Sequence, residues 1–232
     1  LQKSCFMSIV DLSVKNPPHW ANDKIAKWED VREDFVVSKY WCGNGSVNVF
    51  RVIGTSHPDY SGMTWKEFLQ KGKRMTLNLD LHSKNRAYYL DTIVKQPGMY
   101  YLTNDGLNYF VGNDGNHRTC IARFDYHYHG LTTIHGVNIT DLRIDREMGK
   151  LFTELDEVVR ERRINARVAP DRHVLGREDT GGWMLEKYEI RIRFLDDHKY
   201  EQSVYLDRNG AEKKLAELKS PWFRKWYGRV CY

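Results

Sequence analysis

Apolar positions along this chain recur with two periods, and the change from one to the other predicts its elements. Ile25, Trp28, Val31 and Phe35 stand three and four apart, the spacing of one helix face, with Asn22 or Asp23 near its start. Gly43-Asn44-Gly45 reads as a turn and 47–53 as a strand. Thr64-Trp65-Lys66-Glu67 is a capping box for a short helix that Gly72 ends. Ser83 would cap a further helix carrying Ala87, Tyr88, Leu90, Ile93 and Val94, stopped at Pro97-Gly98. The runs 99–102 and 107–111 flank Asn104-Asp105-Gly106, a strong hairpin signal. A helix after Arg118 extends to about His129, with Gly130 at its end, and 131–144 holds another strand pattern. Strands and helices alternate to this point, so the fold class is α/β.

Beyond about residue 146 the pattern changes. Met148, Leu151, Leu155, Val158 and Val159 make one face of a charged helix. The segment 160–177 carries six arginines and little apolar periodicity. Tyr188, Ile190, Ile192 and Phe194 alternate on one strand face; Asp196-Asp197-His198-Lys199 is the turn, and Tyr200, Gln202, Val204 and Leu206 continue the partner strand. A helix over about 210–218 follows. The expected organisation is a domain over 1–145 and a smaller α+β part over 146–232.

One junction carries the chemistry. Tyr109-Phe110-Val111 runs through Gly112-Asn113-Asp114-Gly115 into Asn116-His117-Arg118-Thr119. A strand, a glycine turn and a helix leave the helix's first N–H groups unpaired, at the positive end of its dipole, where an anion fits. Arg118 can grip phosphate oxygens in a bidentate way, and His117 can hold or yield a proton near neutrality. Asn113, Gly115, Asn116, Arg118 and Thr119 are the expected phosphate or nucleotide ligands, with Asn116 as helix cap.

Composition adds two limits. Net charge is +5, a mild bias towards polyanions. The four cysteines, Cys5, Cys42, Cys120 and Cys231, form no CxxC pair, which argues against a zinc ribbon or a disulfide framework. No apolar run approaches the ~20 residues of a membrane span, and no leader pattern precedes the first elements. The expectation is a cytoplasmic protein without a membrane partner.

Asp114-Gly115-Asn116-His117-Arg118, preceded by the 100–111 hairpin and followed by Ala122, resembles the turn of the ParB/sulfiredoxin superfamily. The likeness covers roughly 75–145 and is specific over about ten positions. In that family the turn holds the phosphates of ATP or CTP, and members include partition proteins, sulfiredoxin, a free-serine kinase, ParB-like nucleases and plasmid fertility-inhibition proteins of the Osa type. Sulfiredoxin's catalytic Cys precedes its His-Arg pair, whereas Asn116 stands here, so sulfinic acid reduction is not expected. The helix-turn-helix of the partition proteins has no counterpart after residue 146.

These readings lead to a ParB-like, DNA-directed phosphodiesterase, with nucleotide binding or hydrolysis at the same turn. His117 is the general acid or base, Arg118 stabilises phosphoryl charge, and Asp114 orients water or a divalent ion such as Mg²⁺, or simply suits the helix dipole. Arg160, Arg162, Arg163, Arg167 and Arg172 are the candidate DNA contacts, with Arg177 beside them; Trp222, Phe223, Trp226 and Tyr227 resemble a stacking surface but are better explained as buried against the hairpin. The alternative is a non-enzymatic nucleotide- or DNA-binding regulator of the fertility-inhibition or partition kind. A small-molecule kinase ranks lower, because no carboxylate base is legible near the motif. Asp125, His127, His129 and His135 are better explained as helix-end residues than as metal ligands, so no resident metal site is assigned. His57-Pro58-Asp59 is a loop placed to border the phosphate turn.

Overall fold

The computed structural model describes residues 8–28, 33–196 and 203–220. Helices and a mixed sheet alternate along them, so the class is α/β. The chain divides into two compact units. The first takes 8–28, 40–142 and 179–184 of the described residues, and the second takes 33–39, 143–178, 185–196 and 203–220.

The first unit opens with α1 (Ile9–Lys15), whose Ser8 and Asp11 form a reciprocal capping box. β1 (Ala26–Lys27) follows instead of the expected 22–35 helix, and Glu33–Phe35 is a 3-10 turn of the second unit. Ile25 and Trp28 are buried, but as flanks of a short strand paired in parallel with β3, Ala26 opposite Gly54. β2 (Val36–Asn48) is a 13-residue strand that runs straight through Gly43 and Gly45, so the expected turn there is absent. A Cβ on Gly45 would stand 2.5 Å from Ile139 Cδ1, so the glycine serves close packing rather than chain reversal. The strand expected over 47–53 is instead a 3-10 turn, Val49–Arg51, between β2 and β3 (Val52–Thr55).

α2 (Trp65–Lys71) has the expected Thr64/Glu67 capping box and ends at Gly72. α3 (Met75–Lys84) was not anticipated, and Ser83 lies inside it, its hydroxyl donating to Asp80 O. α4 is only Ala87–Leu90, with Ile93 and Val94 exposed beyond it. β4 (Tyr100–Thr103) and β5 (Tyr109–Val111) form the expected antiparallel hairpin, Tyr101 opposite Val111. α5 (Asn116–His129) leaves that hairpin and ends at Gly130 in the left-handed conformation. β6 is Thr133–Ile144. The strand order is β1-β3-β5-β4-β6-β2, with β3 parallel to β5 and β4 parallel to β6. α5 is buried from Thr119 to Tyr126 in a core that includes Trp20, Trp65, Phe68 and Tyr101.

In the second unit α6 (Arg146–Glu161) is capped by Asp145 and buries Met148, Leu155, Val158 and Val159. The arginine-rich segment runs from the end of α6 into β7, which spans Ala166–Thr180. Its alternation is invisible in the sequence because Arg172 through Thr180 are exposed on both faces. β8 (Trp183–Asp196) pairs antiparallel with β9 (Ser203–Leu206), and α7 (Arg208–Lys219) packs on α6 around Phe152, Ala211 and Leu218. Asp196 of the expected 196–199 turn is the last residue of β8, while 197–202 and Trp222, Phe223, Trp226 and Tyr227 lie outside the described residues.

Arg162 binds protein, not solvent. Its guanidinium donates to the carbonyls of Leu218, Lys219 and Ser220, at the end of α7. Those are carbonyls that no helix bond satisfies, and a cation suits the negative end of the dipole. Arg162→Ala should therefore lower stability by about 1.5–3 kcal/mol, the scale of charge-assisted hydrogen bonds. Urea unfolding measures this; an unmoved midpoint would return Arg162 to the solvent-facing set.

Candidate functional site

The helix that the motif opens starts on a glycine because only glycine fits there. Gly115 has φ +111°, and a Cβ would meet Met99 at 3.3 Å. Gly115, not Asn116, is the N-cap. Asn116 is instead turned into the fold, its Oδ1 accepting from Thr55 Oγ1 at 2.6 Å. That bond fastens the helix start to the end of β3. Thr119 is fully buried, its hydroxyl 2.9 Å from Tyr101 OH, and like Gly115 it does not line the cleft described next.

In front of α5 lies a cleft of about 590 Å³, within the range of small-molecule and cofactor sites. Asn113, Asp114, Asn116, His117 and Arg118 form one wall. His57, Asp59 and Tyr60 come from the loop after β3, as the sequence suggested for His57. Lys73 and Arg74, at the start of α3, add two cations, and Tyr88, Tyr89, Asn78, Asn85 and Gln96 complete the polar and aromatic lining. Lys73, Arg74 and the amides escaped the sequence reading. The basic run Lys71-Gly72-Lys73-Arg74 was visible, but its proximity to α5 depends on the unanticipated α3.

His117 is the group with chemistry to offer. Its ring sits against Tyr60 and Phe68, with centroids 5.3 and 5.1 Å away, and its Nε2 is buried with no hydrogen-bond partner. Burial, then the charge of Arg74, holds its pKa below the ordinary imidazole value of 6.5, with Asp114 opposing. The ring is therefore neutral at pH 7 and free to take a proton. Two further imidazoles, His57 and His82, line the cleft, and His57 stacks on Tyr60 with ring centroids 4.3 Å apart.

Arg118 is already engaged. One terminal nitrogen donates to Tyr88 OH at 2.8 Å and Pro97 O at 2.6 Å. The other donates to Gly98 O at 3.1 Å and pairs with Asp114 at 2.8 Å. A guanidinium with four acceptors holds the cleft wall together, and a bidentate phosphate grip requires one of them to leave. Asp114 is the only side-chain carboxylate of the four, and it is exposed. Its other oxygen accepts from the Gly115 N–H at 2.6 Å, so this carboxylate sits at the helix end where a phosphate would go. In the absence of a divalent ion, Asp114→Asn should then tighten phosphate or nucleotide binding by about 0.5–1.4 kcal/mol, roughly two- to tenfold, from the lost pair and the lost competing charge. Calorimetric titration checks the sign; weaker binding would make Asp114 a ligand rather than a competitor.

Asp125 lies on the same helix and is buried, accepting from Arg86 Nε at 3.2 and 3.1 Å. His129 Nδ1 is 3.2 Å from it and His82 Nε2 3.7 Å, while His135 bonds Ser46 instead. This is a structural ion network. Among the described residues no group of three His, Cys, Asp or Glu side chains is placed to hold a metal ion. A divalent ion in the cleft would be held by Asp59 or Asp114 together with a substrate's own phosphates, the usual Mg²⁺ arrangement. Cys120 is buried, with its thiol pushed up by burial, and donates to Trp65 O. Thiol chemistry is not available there.

In the second unit the arginines are dispersed. Arg160 pairs with Asp156, and Arg172 donates to Glu33 O while covering the Tyr188 ring. Arg163, with φ +51°, and Arg167 are exposed. No protein-family model, curated protein or solved structure matches this chain. Among the described residues no helix is long and apolar enough to cross a membrane.

Proposed function

We propose that the first unit is a ParB/sulfiredoxin-like domain that binds a nucleotide or a nucleic-acid strand by its phosphates and hydrolyses a phosphate ester in the cleft. The observation that carries this is the buried, unpartnered Nε2 of neutral His117 at the N-terminus of α5, beside Lys73, Arg74 and Arg118. In this reading the positive helix end and Lys73 and Arg74 hold the phosphoryl oxygens. His117 takes the proton from the attacking water, and the same charges stabilise the oxygens as negative charge builds on them. Tyr88, half-buried in the lining, offers a ring surface to a nucleobase. ATP or CTP is the expected nucleotide; Asp59 or Asp114 would hold a Mg²⁺ ion, which would supply charge neutralisation to the phosphates when bound. A cleft of this size takes one nucleotide, so DNA would present a single-stranded or terminal unit.

The saturation of Arg118 and the position of Asp114 favour one second reading, a regulator in which the turn binds phosphate without cutting. Incubating the protein with plasmid DNA and with ATP or CTP, with and without Mg²⁺, separates the two. Nicking or nucleotide hydrolysis that disappears in His117→Ala supports the enzyme. Saturable nucleotide binding with no turnover under any of these conditions establishes the regulator.

A further inference from the structure

A second cavity of about 530 Å³ lies in the same unit, and none of its lining residues belongs to the phosphate cleft. Its centre of interest is Arg123, also on α5 but only 4% exposed. One terminal nitrogen donates to Val49 O at 2.9 Å and Val52 O at 2.5 Å, tying down the 3-10 turn between β2 and β3. The guanidinium is held between the Trp20 and Trp65 rings, 4.5 and 4.3 Å from their centroids. Its Nε is buried and has no acceptor, and among the described residues no carboxylate forms an ion pair with it. The charge of Asp23 acts on it from beyond ion-pair distance; a buried cation so weakly matched is costly, and ring faces offset that only in part.

Lys24 adds a second positive charge, and His19 and His127 line the cavity beside it, against a single acid, the exposed Asp23. Phe50 and Ile53 give it an apolar wall. We infer that this cavity is a second ligand site, which takes a small organic anion whose phosphate or carboxylate group pairs with Arg123 and whose body rests on Phe50 and Ile53. Arg123 supplies the fixed, desolvated charge; Lys24 and His127, which are exposed, complete the grip when the ligand arrives. The inference does not depend on the reading of the cleft.

The test is a ¹H–¹⁵N titration of the full chain, following the assigned Arg123 Nε–H and the indole N–H groups of Trp20 and Trp65. The probes are inorganic phosphate and benzoate, each against sodium chloride at matched ionic strength. Both supporting arms predict shifts that saturate in the millimolar range or below, the tighter probe identifying the anion class. Lys24→Gln with His127→Gln, two exposed changes that leave the core intact, should weaken that binding at least fivefold. Lys73→Gln with Arg74→Gln should leave it unchanged. Shifts that follow ionic strength alone, or that persist at full affinity in the Lys24/His127 variant, would overturn the site and leave Arg123 as a fastening for the 49–52 turn.

Discussion

His117→Ala is expected to lower the rate of phosphate-ester hydrolysis by ~10²-fold or more while leaving nucleotide affinity within a few-fold, the pattern of a lost proton-transfer group. The cationic holding groups, Lys73 and Arg74, remain in that variant, which is why binding survives. The pH profile carries a second signature. Because burial and Arg74 depress the His117 pKa, its basic, neutral form persists below pH 6.5. The acid limb of the wild-type rate should therefore lie below 6.5, and Arg74→Gln should move it upward by removing the largest of the charges that depress it. A His117→Ala variant that turns over like the wild type would make the imidazole a packing group against Tyr60 and Phe68.

Asp125→Ala is expected to cost about 3–5 kcal/mol of stability at pH 7, because it leaves Arg86 and the buried His82 without their shared anion. The partial exposure of Arg86 places the value towards the lower end. Burial alone would raise the carboxyl pKa, but His82 and Arg86 outweigh it and the net displacement is downward from 3.8. The folded state thus holds the proton less readily than the unfolded chain. The stabilisation is complete above the unfolded value of about 3.9 and is lost as pH falls through the lower folded value. Urea midpoints between pH 7 and pH 3 should show that acid loss in the wild type and much less of it in Asp125→Asn. A cost under 1 kcal/mol at pH 7 would mean the network is not a core element.

The parts of this fold legible in the sequence are those encoded by neighbours along the chain. The Asn104-Asp105-Gly106 turn, the Thr64/Glu67 box and the Gly130 end of α5 all depend on residues within a few positions of one another. What misled was local spacing whose cause is distant. Ile25, Trp28 and Phe35 mimic a helix face, yet Ile25 and Trp28 flank a strand fixed by parallel pairing to Gly54, and Phe35 belongs to the other unit's core. Gly43 and Gly45 resemble a turn, while Gly45 is small because Ile139 lies against it.

The site divides in the same way. The wall formed by 113–118 was readable because it is one continuous junction. Lys73, Arg74 and Tyr88 were not, since only the packing of α3 and α4 beside α5 makes them neighbours of His117. Thr119 and Arg162 show the converse error: residue types suited to a phosphate whose donors are already committed to Tyr101 and to the end of α7.

The central claim is that the cleft in front of α5 binds nucleotide phosphate, and isothermal titration of the full chain with ATP and with CTP, each with and without Mg²⁺, tests it most directly. The account predicts saturable one-site binding of at least one nucleotide, weakened about tenfold in Arg74→Gln, an exposed cation whose loss removes one charge-assisted contact of about 1.5 kcal/mol. No binding of either nucleotide at millimolar concentration, or binding that Arg74→Gln leaves unchanged, would contradict it.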